Sequence, residues 1–68
     1  MSRWAYDDEY AYQITESPGG AYQKAVVHRN RTPIMVAERI YDEYTFDFKR
    51  YVSDPEDIEM RTKRILKE

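Results

Sequence analysis

The sequence predicts a single α+β domain over residues 1–68, an N-terminal β-hairpin followed by two helices. Three observations carry this reading. Tyr10, Tyr12 and Ile14 alternate with Ala11, Gln13 and Thr15 just before the turn-forming run Ser17-Pro18-Gly19-Gly20. Thr32-Pro33 opens a stretch whose apolar residues recur at helical spacing. Asp54-Pro55-Glu56-Asp57 has the composition of a helix start: a capping acid, a proline and a negative first turn.

The hairpin spans residues 9–28. Period-2 alternation is the mark of a half-buried strand, and two glycines after a proline supply the backbone freedom that a reversal needs. The return strand runs from Ala21 to about His28. Upstream, Asp7-Asp8-Glu9 reads either as the flank of an earlier strand or as a solvated segment.

The first helix is predicted over 33–51. At 100° per residue, Ile34, Val36, Ala37, Ile40, Tyr41 and Tyr44 share one arc of about 160°. Phe48, Tyr51 and Val52 prolong that arc, and no Gly, Pro or Asn interrupts the chain between Pro33 and Ser53. A strand reading puts polar and apolar residues on both faces. The alternation Tyr44-Thr45-Phe46-Asp47-Phe48 keeps one alternative open, a third strand at about 45–52 in a ββαβα order. The last helix, 55–67, carries the stripe Ile58, Thr62, Ile65 and Leu66. Asp57–Arg61 and Glu59–Lys63 are acid-before-base pairs at i,i+4, and the acids-first, bases-last order suits the helix dipole.

At 68 residues and 8.2 kDa the core must be thin. Hydrophobic residues make up 41% and aromatics 15%, with seven tyrosines, so the chain is expected to fold rather than remain disordered. The net charge is −2 and the pI near 5.4, which argues against a general nucleic-acid clamp. Charge is unevenly spread. Residues 21–34 hold Lys24, Arg29 and Arg31 and no acid, whereas residues 35–59 hold eight acids against Arg39, Lys49 and Arg50.

Chemistry is hard to place in this chain. With no cysteine there is no thiolate nucleophile, no disulfide and no thiolate metal site. His28 is the sole histidine and has no second one to build a triad or zinc site around. The acids Asp54, Glu56, Asp57 and Glu59 lack calcium-loop spacing and suit helix capping. Gly19-Gly20 precedes a strand rather than the helix a phosphate loop requires. The sequence therefore predicts a non-enzyme without cofactor or metal. No apolar run approaches the ~18 residues of a membrane span. A cytoplasmic protein is expected, in the host cytoplasm if phage-encoded.

Two binding readings follow. In the first, a protein partner with a basic surface meets tyrosines and carboxylates, with Tyr10, Tyr12 and Tyr22 as anchors. Glu38, Asp42 and Glu43 would then form the acidic exposed face of the first helix, with Asp7, Asp8 and Glu9 adding to the acidic surface. In the second, the chain is a small nucleic-acid-binding or transcription-modulating domain in which Lys24, His28, Arg29 and Arg31 contact nucleic acid, with hairpin tyrosines stacking on bases. In size, acidity, tyrosine content and lack of cysteine the chain is similar to phage-encoded inhibitors, including anti-CRISPR and DNA-mimic proteins. That similarity of composition implies a module that blocks a basic site on a larger machine.

Overall fold

A five-stranded antiparallel meander carries one C-terminal helix across one face. The computed structural model describes residues 1–49 and 52–67. The strands are β1 (Ser2–Tyr6), β2 (Ala11–Glu16), β3 (Tyr22–Arg29), β4 (Thr32–Ile40) and β5 (Glu43–Phe48), lying side by side in chain order. The helix α1 is Pro55–Lys67.

This corrects the predicted fold class. The helix over 33–51 does not exist within the described residues, and neither does the ββαβα alternative, because residues 32–40 are strand β4. Residues 43–48 form β5, overlapping the alternative third strand, while Arg50 and Tyr51 lie outside the described residues. Two features of β4 produced the helix-like pattern. Between Val27 and His28 the register with β4 slips by one residue, a bulge that lets both Ile34 and Met35 bury. Farther along, Val36 and Ile40 lie on the uncovered face while Arg39 turns inward to donate to Gln23 Oε1 at 2.7 Å. Alternation is thereby scrambled at both ends of the strand.

The turns explain why no break was visible. Tyr41-Asp42 links β4 to β5 with Tyr41 at φ +57°, a left-handed conformation that non-glycine residues rarely adopt. Asn30-Arg31 links β3 to β4 with φ of +52° and +64°, the two positive values of a tight primed hairpin turn. At the β2–β3 turn the sequence is plainer: Gly19 and Gly20 take φ of +85° and +75°. There Ser17 holds the turn, its hydroxyl accepting from the Tyr22 N–H at 3.1 Å.

Strand alternation sorts the sheet into two faces. Toward the helix point Tyr12, Ile14, Ala25, Val27, Met35 and Ala37, all buried. Ile58, Thr62 and Leu66, one per helical turn, close over them from α1. Buried Thr62 satisfies its hydroxyl by donating to the Ile58 carbonyl at 2.8 Å. The helix starts as its sequence indicates, the Asp57 N–H donating to Asp54 Oδ1 at 3.2 Å. Nothing among the described residues covers the opposite face. It carries Trp4, Tyr6, Tyr22, Val26, His28, Val36 and Ile40, with Gln13, Lys24, Glu38 and Asp47 among them.

Candidate functional site

The uncovered face is most distinctive at one end, where β1 turns into β2. Trp4 and Tyr6, two residues apart on β1, project to the same side and stack at 6.2 Å with planes 16° apart. Both are large apolar side chains in solvent, Trp4 50% and Tyr6 71% exposed. His28, on β3, reaches over β2 to lie 5.3 Å from the Trp4 ring. Its Nδ1 is buried and has no hydrogen-bond partner. Beside these rings opens a concavity of about 570 Å3, lined also by Asp7, Asp8, Glu9, Asn30 and Arg31. It has the size of a ligand or side-chain pocket rather than of a packing defect.

The carboxylates on its rim are held by a network built around Asp7. One Asp7 oxygen accepts from the Glu9 and Tyr10 N–H groups at 2.9 and 2.8 Å, closing the loop on itself. The other accepts from the Tyr12 hydroxyl. Partial burial by itself would raise the Asp7 carboxyl. The Tyr12 hydroxyl, the two backbone donors and the Arg61 charge outweigh burial and hold it below its ordinary value. Burial and the Asp7 hydrogen bond together push the Tyr12 hydroxyl well above its ordinary range.

Arg61 fixes this loop to the helix. Its guanidinium contacts Asp57 at 3.0 Å, Glu9 at 3.1 Å, Asp8 at 3.2 Å and Asp7 at 3.5 Å. It also lies 5.4 Å from the centre of the Tyr10 ring. Arg61 thus serves four carboxylates, and the other cations at this end of the domain are Arg31 on the cavity rim and Arg64 beside Asp7, Asp8 and Asp57. Asp8 engages Arg61 through Oδ1 and Glu9 through Oε1, and the second oxygen of each is available to another donor. Among the described residues no group of three or more His, Asp or Glu side chains is arranged to hold a metal ion.

The structure disperses the residues singled out from sequence. Tyr10 and Tyr12 are core residues, 6% and 0% exposed; Tyr12 offers no surface to a partner, and Tyr10 shows only a margin in the wall of the concavity. Tyr22 is on the uncovered face, half-buried, donating from its hydroxyl to Glu38 Oε2 at 2.8 Å. That bond raises the Tyr22 hydroxyl above its ordinary value. Glu38, Asp42 and Glu43 do not form one helical face. Glu38 lies mid-strand on β4, Asp42 sits in the turn 3.6 Å from Arg39, and Glu43 begins β5.

The basic set fares similarly. Lys24 stands directly across from Glu38 in the β3–β4 register. His28 joins the Trp4 cluster and Arg31 sits at the cavity rim. Alternation turns Arg29 to the side of β3 opposite His28. Together they make no continuous basic track. Trp4 and Tyr6 are the residues that sequence reasoning passed over as binding groups. The available signal was the spacing of two aromatics at i,i+2 immediately before an acidic run.

No helix among the described residues is long and apolar enough to cross a membrane. Comparison with family models, curated proteins and solved structures finds no match to this chain.

Proposed function

We propose that this protein is a non-enzymatic binding module that takes a basic segment of a protein partner at the Trp4–Tyr6 end of its uncovered sheet face. The supporting observation is the juxtaposition of two exposed, stacked aromatic rings with a cavity rimmed by Asp7, Asp8 and Glu9. Ring faces attract ammonium and guanidinium groups, and a nearby carboxylate adds a charge-assisted hydrogen bond. A lysine or arginine of the partner lies across Trp4 and Tyr6, while Asp8 and Glu9 accept from it through their second oxygens. By occupying a basic site on a larger protein, the module blocks that site.

A second reading has one observation in its favour. Trp4, Tyr6 and His28 on an open sheet form a platform on which bases of a single strand could stack. The acidic rim and the pairing of Lys24 across from Glu38 weigh against it.

Trp4 is the single tryptophan, so its emission reports on the site directly. Titration with an arginine- and lysine-rich peptide should give a saturable change that weakens as salt rises. An oligonucleotide of equal charge should give none. A saturable response to the oligonucleotide alone would reverse the assignment.

A further inference from the structure

The hydrogen-bond pattern of β1 defines what its free edge can accept. Met1 and Glu16 exchange reciprocal backbone bonds of 2.9 and 3.2 Å, and the Asp7 N–H donates to the Tyr10 carbonyl at 3.1 Å. Antiparallel ladders alternate, so Arg3↔Ile14 and Ala5↔Tyr12 are the bonded pairs between these ends. The N–H and C=O groups of Ser2, Trp4 and Tyr6 therefore point away from β2, toward an edge with no neighbour among the described residues.

We propose that this edge pairs with the β1 edge of a second copy, antiparallel and centred on Trp4, joining two five-stranded sheets into one of ten strands. It shares Trp4 and Tyr6 with the binding reading above but does not rest on it. The centred register is the one in which all five residues of β1 find partners. It sets Trp4 against Trp4 of the second copy, Ser2 against Tyr6 and Arg3 against Ala5. The outward groups of Ser2, Trp4 and Tyr6 then meet one another as three bonded pairs. Large side chains face small ones at the flanks, and no like charges oppose. A two-fold axis normal to the sheet leaves both helices on one side and brings both Trp4–Tyr6 pairs together on the other.

The contrast with the opposite edge supports the choice of β1. Proteins blunt exposed edges with charge, proline or bulges. β1 has no proline and no bulge, and its one charge, Arg3, is paired with Glu16 at 3.2 Å. β5 carries Glu43, Asp47 and Lys49 along or beside its rim. Self-pairing of β5 centred on Thr45 would set Glu43 of each copy against Asp47 of the other.

The test is sedimentation equilibrium of the full chain up to about 1 mM, with amide hydrogen exchange at both ends of that range. The expected mass rises from 8.2 kDa toward twice that value. Exchange at Trp4 and Tyr6 should slow at least ~10-fold with concentration, while Arg3 and Ala5 stay protected throughout. Proline is tolerated in an edge strand where the N–H faces outward, so Trp4→Pro should fold as a monomer. The pair Ser2→Lys with Tyr6→Lys keeps Trp4, and it should also lose the association. A monomer at the highest concentration, a dimer that persists in both variants, or concentration-dependent protection at Tyr44 and Phe46 instead would each overturn the proposal.

Discussion

The Tyr12 hydroxyl donates to the carboxylate of Asp7, joining a wholly buried core residue to the loop that rims the candidate site. Each partner is shifted in the direction that preserves the bond. Asp7 is held below its ordinary 3.8, so its contribution to stability is complete above that value and is lost as pH falls through the lowered one. Tyr12 is raised above its ordinary 10.0, so its contribution is complete below pH 10 and is lost as pH climbs beyond it. Unfolding midpoints measured against pH should fall off on both sides. Asp7→Asn should flatten the acid limb, and Tyr12→Phe the part of the alkaline limb that Tyr22 does not supply.

Arg61 is the shared cation of the loop and the helix. Arg61→Met keeps most of the stem but leaves Asp7, Asp8, Glu9 and Asp57 to repel one another. Its thermal midpoint should fall below the parent's at low ionic strength, and added salt should narrow the gap by screening that repulsion. A gap that salt leaves unchanged would mean Arg61 acts by packing on Tyr10 alone.

The helix is the lid of the core. Leu66→Ala should cost about 3 kcal/mol in chemical denaturation, because Leu66 is 1% exposed and its removal leaves a cavity. Met60, on the same helix but 58% exposed, should tolerate alanine with a change under about 0.5 kcal/mol.

Arg31 occupies a left-handed position where glycine is the favoured residue, at φ +64° after Asn30 at +52°. Arg31→Gly should stabilise the protein by about 0.5–1 kcal/mol, the relief of steric strain exceeding the added chain entropy. Arg31 is also the cation on the cavity rim. Removing it should strengthen capture of a basic peptide and weaken any capture of nucleic acid.

What could be read from sequence divides along physical lines. The pair β2–β3 and the helix α1 carry local signals that agree with their surroundings: alternation, a proline–glycine turn, a capping acid, an apolar stripe. β4 and β5 do not. A bulge at Ile34 and Met35, an inward arginine at 39 and an outward isoleucine at 40 erase the two-residue period. Tyr41 then makes a reversal that no glycine announces. β1 is short and largely exposed, so its pattern is two aromatics and little else. The tyrosines are ambiguous for a related reason. Tyrosine suits both core and surface, and only the folded sheet shows that Tyr10 and Tyr12 belong to the core.

The central claim is that a basic segment binds at Trp4, Tyr6 and the acidic loop. Amide and indole chemical-shift mapping of the labelled protein during titration with an arginine- and lysine-rich peptide tests it most directly. The account predicts saturable shifts at the Trp4 indole, Tyr6, Asp8, Glu9 and His28, lost in Trp4→Ala. Shifts centred instead on Glu38, Asp42 and Glu43, or none that saturate, would contradict it.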